Sequence, residues 1–153
     1  MTSGNTVRLD FHSSLEMLDF VQMVSDHMGR RVGLDDESLH WVGVAVRESV
    51  INAIKHGNCH DVRKRVHIEF AALPDVAAPG LAICVRDEGA GFDPETVADP
   101  LAPDNLLKPS GRGILLMRSF MDEMTVQRAP GGGMEVRMVK RAEPAGPHTP
   151  DGE

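Results

Sequence analysis

At 153 residues, with 41% hydrophobic and 25% charged side chains, the chain has the make-up of a single globular domain. A domain of this length buries about 68–70% of the surface that its unfolded chain exposes. A formal net charge of −7 argues against a nonspecific nucleic-acid binder, which needs a basic surface. There is no charged-then-apolar leader and no run of about 18 apolar residues, so neither secretion nor a membrane span is expected. Two cysteines, Cys59 and Cys84, make no disulfide framework and no metal-ligand cluster, and the expected compartment is a reducing cytoplasm. Aromatic residues are scarce at 4%, with no Tyr, so aliphatic side chains and nine Met must fill most of the core.

In chain order, residues 6–11 alternate between polar and apolar and predict a strand. Ser13 and Glu16 stand at capping-box spacing, and Met17, Phe20, Val21, Val24 and Met28 recur at helical intervals, predicting an amphipathic helix over 14–29. Asp35, Asp36 and Glu37 open a second helix, where carboxylates meet the positive end of its dipole. That helix carries Leu39, Val42, Val46, Val50, Ala53 and Ile54 inward, ends near Lys55 and His56, and has Gly57 available as its C-cap.

Two strands follow, with Val66, Ile68 and Phe70 alternating in one and Leu81, Ile83 and Val85 in the next. Cys84 alternates within that apolar strand and is read as a buried free thiol. Residues 88–111 concentrate glycine, proline and small polar residues, and a loop of that length within a compact domain is usually functional, often a lid. Residues 113–121 are apolar nearly all round and predict a largely buried helix. Residues 125–128 and 134–140 predict a hairpin about Pro130 and Gly131–Gly133, and a disordered tail is expected over 143–153. The element order implies an α+β two-layer sandwich over residues 1–142, with three helices covering one face of a mixed, largely antiparallel sheet.

Chemistry concentrates on the second helix. Glu48, Asn52 and Lys55 lie at i, i+4 and i+7, within roughly 60° of one another on one helix edge. An amide oxygen at Asn52 can serve Mg²⁺, a hard cation that keeps several waters. Glu48 can accept a proton from an attacking hydroxyl or water, and Lys55 can reach phosphate oxygens as a point charge. The same residues also suit a satisfied polar pair at Glu48 and Asn52, with Lys55 and His56 simply favouring a helix C-terminus.

Asp87 extends the inward row of Leu81, Ile83 and Val85, so its carboxylate falls on the helix-covered face. There it must be paired or hydrogen-bonded, either as a cap for the following turn or as an acceptor for a ligand amino group such as that of adenine. Gly89 and Gly91 follow, as in a plain tight turn or beside a closely approaching ligand. Gly111, Arg112 and Gly113 open the next helix, where free N–H groups form a ready anion site. No glycine-rich loop ends in Gly-Lys-Ser/Thr, which excludes a Walker-type P-loop. His12, His27, His40, His60 and His67 show no ligand spacing, and Trp41 is read as a packing or partner-contact residue.

The run Glu48-x-x-x-Asn52-Ala53-x-x-His56-Gly57, then Asp87-x-Gly89-x-Gly91-Phe92-Asp93, then Gly111-Arg112-Gly113-Ile114 with Met121-Asp122-Glu123 resembles a known domain. It is the compact ATP-binding (Bergerat) domain of the gyrase, Hsp90, histidine-kinase and MutL superfamily, and the similarity covers about residues 6–141. Within that superfamily the chain most resembles the RsbW-type anti-sigma factor serine/threonine kinases. The resemblance implies Glu48 as general base, Asn52 as Mg²⁺ ligand and Asp87 as adenine acceptor. Gly89 and Gly91 would shape the nucleotide wall, residues 94–110 the ATP lid, and Gly111, Arg112 and Gly113 the phosphate-binding helix start. Lys55 stands where related kinases often carry a phosphate-contacting lysine. The implied cofactors are ATP and Mg²⁺. The implied partners are a sigma factor and a STAS-domain antagonist, with a homodimer as the usual assembly. One departure is Met134, where the family pattern has a Thr whose hydroxyl helps hold adenine through water. A binding-only regulatory module is the competing reading.

Overall fold

The computed structural model describes residues 5–74, 77–89 and 118–142. Five strands form one sheet in the order β1-β2-β3-β5-β4: β1 is Thr6–His12, β2 Arg65–Leu73, β3 Gly80–Arg86, β4 Glu123–Arg128 and β5 Met134–Arg141. All four pairings between these strands are antiparallel. Helices α1 (Leu18–Arg31) and α2 (Asp36–Asn52) pack against each other and against one face of the sheet. This is the expected α+β sandwich. Of the third expected helix, only 118–120 falls among the described residues, and those are helical.

Alternation decides which face is covered. Phe11 of β1, Val66, Ile68 and Phe70 of β2, Leu81, Ile83 and Val85 of β3, and Met138 of β5 are buried in one core with Val21, Val42, Val46 and Val50 of the helices. The other face carries Arg8 and Asp10, His67 and Glu69, Cys84 and Arg86, and Glu135 and Arg137 in register across the strands. Cys84 therefore lies half-buried on the helix-free face rather than in the core. Burial and the neighbouring Glu135 carboxylate push its thiol up to about 11.

Two helix ends differ from expectation. Ser14 rather than Ser13 is the N-terminal cap, accepting the Glu16 N–H at the head of a short 3₁₀ turn, Leu15–Met17. Ser13 is buried and donates its hydroxyl to the Lys64 carbonyl at 2.8 Å. At α2, Asp35 caps the start by accepting the Ser38 N–H at 2.7 Å, as its sequence promises. Its far end does not stop at a left-handed glycine. The chain widens into a π-turn over Ala53–Gly57, closed by the Asn58 N–H on the Ala53 carbonyl at 2.7 Å. The left-handed residues are Cys59 and His60, with φ of 52° and 59°. Gly57 is a glycine for another reason, found at the end of β3.

Candidate functional site

Asp87 leaves the end of β3 with only 4% of its surface exposed. Its backbone N–H donates to the Met134 carbonyl at 3.0 Å, continuing the β3–β5 ladder by one residue. Its Oδ1 accepts the Gly89 N–H at 2.9 Å and the Met134 N–H at 3.1 Å. Oδ2 accepts no hydrogen bond from the described residues. Burial holds the carboxyl above the usual carboxylate range, offset in part by those two backbone donors.

Three glycines make room for this carboxylate. A Cβ on Gly57 would overlap Asp87 Oδ2, and one on Gly89 would overlap the Gly57 carbonyl oxygen. At Gly133, whose φ is +80°, a Cβ would overlap the Asp87 carbonyl. The close approach of backbone to carboxylate is what these positions require. The π-turn after α2 carries Gly57 into this contact, so the helix bearing Glu48 and Asn52 ends against the adenine-acceptor candidate. Turns of this kind recur at functional sites.

Glu48 and Asn52 are both half-buried on α2. Among the described residues neither side chain has a hydrogen-bonding partner, so they are not the satisfied polar pair that sequence alone permits. Among the described residues the Asn52 amide oxygen, of the kind Mg²⁺ accepts, is thus uncommitted. Lys55 is exposed one turn further on. It lines a groove with Leu15, Leu18, Asp19, Arg47 and Ile51, which neither Glu48 nor Asn52 lines. Gly91, Gly111, Arg112 and Gly113 lie outside the described residues, as does the expected lid.

Two groups escaped sequence reasoning. Asn58 is fully buried and joins four chain segments. Its amide donates to Ser13 Oγ at 2.9 Å and to the Arg65 carbonyl at 3.0 Å, and its Oδ1 accepts the Glu88 N–H at 2.8 Å. On the helix-free face, His67 sits between Asp10 and Glu88, each ring nitrogen 2.6 Å from a carboxylate oxygen. Glu88 also accepts the Arg65 N–H at 2.9 Å. That bond, followed by His67, holds its carboxyl below the usual range. The only sequence signal for Asn58 was an amide next to Gly57, and for His67 its outward place in an alternating strand.

The histidine kinase-like ATPase domain matches residues 11–140. The chain belongs to that family. Membership implies ATP binding, and the match runs from the end of β1 into β5, taking in the carboxylate cradle and the α2 edge. Among known relatives of this ATPase domain, a serine-protein kinase RsbW of Staphylococcus aureus is 29% identical over 126 residues, 78% of this chain and 77% of the relative. A serine-protein kinase RsbW of Staphylococcus epidermidis is 26% identical over 141 residues, 88% of this chain and 85% of the relative. Among the described residues no helix is long and apolar enough to cross a membrane.

Proposed function

We propose that this ATPase domain is a cytoplasmic protein serine/threonine kinase and anti-sigma factor. It would sequester a sigma factor and use Mg-ATP to phosphorylate a STAS-type antagonist of that sequestration. The observation that supports the nucleotide reading best is Asp87. Its Oδ1 is taken up by the protein while its buried Oδ2 accepts nothing from the described residues, beside a helix end stripped of side chain at Gly57. Such an oxygen can accept an exocyclic amine. The similarity to serine-protein kinases supports the choice of a protein hydroxyl as phosphate acceptor.

Each residue then has a task. Asp87 orients the base, and Asn52 offers its amide oxygen to Mg²⁺, which neutralises phosphate charge when bound. Glu48, half-buried and without a partner among the described residues, takes the proton of the substrate hydroxyl as that oxygen attacks the terminal phosphorus and the bond to the bridging oxygen breaks, releasing ADP. Positioning carries most of the rate, since the protein forms no bond to the transferred group. Gly89 and Gly91 would shape the nucleotide wall, the Gly111–Gly113 segment would bind the phosphates, and a homodimer is the expected assembly. The test is a titration with ATP, with and without Mg²⁺, followed by mass spectrometry of a STAS-type protein incubated with the chain. Mg²⁺-dependent ATP binding and a phosphoserine or phosphothreonine on the antagonist are expected. An antagonist left unmodified at saturating Mg-ATP contradicts the kinase assignment.

A second reading, a switch that binds nucleotide and partner without turnover, is favoured by Met134. This thioether is 5% exposed on the same strand face as Met138, where the family pattern has a hydroxyl. The missing hydrogen bond is worth about 1 kcal/mol, on the scale of a single net bond. The same incubation separates the two readings.

A further inference from the structure

Three backbone N–H groups build the turn that presents Asp87. The Asp87 N–H is held by the Met134 carbonyl and the Gly89 N–H by Asp87 Oδ1, both from within the sheet end. The middle one, on Glu88, is held from the helix side by Asn58 Oδ1. Among the described residues this is the only hydrogen bond that joins residues 53–61, the end of the Glu48–Asn52 helix, to residues 87–89.

The chemistry of residue 58 is tightly specified. It must accept one N–H and donate to both a serine hydroxyl oxygen and a backbone carbonyl, within a fully buried site. An asparagine amide supplies one acceptor and two donors at the right reach. An aspartate has no donor, an alanine leaves the Glu88 N–H and the Arg65 carbonyl unmatched, and a glutamine is one methylene too long. The hydroxyl of Ser13 is spent on the Lys64 carbonyl, so it can only accept from Asn58. Asn58 follows directly on Gly57, whose missing side chain lets the helix end touch Asp87 Oδ2.

We infer that Asn58 is a positioning residue for base recognition: its amide locks the end of the Glu48–Asn52 helix to the Asp87 turn, and so sets where Oδ2 points. This rests on the reading of Asp87 as the acceptor of the adenine amine. Asn58 touches no nucleotide itself. Removing it lets the turn swing away from the helix, which weakens the contact to the 6-amino group and leaves phosphate and metal contacts in place.

The test uses the full chain and two probes, ATP and purine riboside triphosphate, which differ only in the 6-amino group. Wild type, Asn58→Ala, Asn58→Ser and Ser13→Ala are titrated with each in the presence of Mg²⁺. Backbone amide exchange is followed at Glu88, Gly89 and the core residues Val46 and Val66. Wild type is expected to prefer ATP. Both residue 58 variants should lose about tenfold of that preference, one buried hydrogen bond's worth, while binding the deaminated probe as before. Exchange at Glu88 should quicken in both, with Val46 and Val66 unchanged. Ser13→Ala, which removes one of the three anchors, should fall between. A merely structural role would weaken both probes equally. If Asn58→Ala does not fold, Asn58→Ser and Ser13→Ala decide. Unchanged preference and unchanged Glu88 exchange in the folded variants overturn the inference. A wild type without preference overturns the reading of Asp87, and the inference falls with it.

Discussion

Gly57 and Asp87 meet so closely that a single methyl group on residue 57 would overlap the carboxylate oxygen Oδ2. The contact joins the turn that ends α2 to the exit of β3. Glycine in a helix ordinarily costs about 0.5–1 kcal/mol relative to alanine, so an unconstrained Gly57→Ala change would stabilise the fold. Here the sign reverses. Overpacking against Asp87 should cost about 1–3 kcal/mol in urea denaturation, and ATP binding should fall at least as much as for Asp87→Asn.

Burial raises the Asp87 carboxyl, and the sign of its effect on stability follows. The folded chain binds that proton more tightly than the unfolded chain, so Asp87 favours the fold at low pH and opposes it increasingly as pH rises through the raised value. Asp87→Asn keeps an oxygen for the Gly89 and Met134 N–H groups and removes the charge. Urea unfolding at several pH values should show the variant more stable than wild type at neutral pH, the gain vanishing in acid. ATP binding should be lost, because the amide now offers a donor where the base amine also donates.

Trp41, the single tryptophan, stacks on Phe120 with ring centroids 3.8 Å apart and planes 4° from parallel. Phe120 also offers its carbonyl to Lys140 Nζ at 2.9 Å, so the stack ties α2 to the segment entering β4. Phe120→Leu should cost about 0.5–1.5 kcal/mol, the scale of an aromatic pair beyond its buried area. Trp41 emission should shift to the red, read by fluorescence without any added label.

Met134→Thr restores the hydroxyl of the family pattern at a buried position. Calorimetry should show ATP binding tightened by about fivefold, on the scale of one net hydrogen bond. Thermal unfolding should show a stability loss of about 1–2 kcal/mol from the missing thioether volume.

Much of this was legible in the sequence because it rests on period. The inward rows of β2 and β3 placed Asp87 on the covered face before any coordinates, and the glycine run at 131–133 located the β4–β5 turn. Gly57 and Ser13 were misjudged for one reason. Their roles depend on what another segment brings against them. A helix-terminal glycine reads as a left-handed cap unless a carboxylate from a strand thirty residues on is known to occupy the space. The π-turn over Ala53–Gly57 was not foreseen either, since nothing in its local sequence announces that widening. Asn58 looked like a loop residue, since burial of a polar side chain is visible only once its three partner segments have met it. The Gly111–Gly113 motif lies outside the described residues and rests on the sequence alone.

The central claim is that Glu48 is the base of a phosphotransfer and the rest of the site holds Mg-ATP for it. The direct measurement is single-turnover phosphate transfer from labelled ATP to a STAS-type antagonist by wild type and Glu48→Ala, with ATP affinity measured on the same samples. Wild type should transfer. Glu48→Ala should bind ATP within about threefold of wild type and transfer at least about 100-fold more slowly, the lower range of a general base's contribution. Transfer by Glu48→Ala at the wild-type rate would contradict the account.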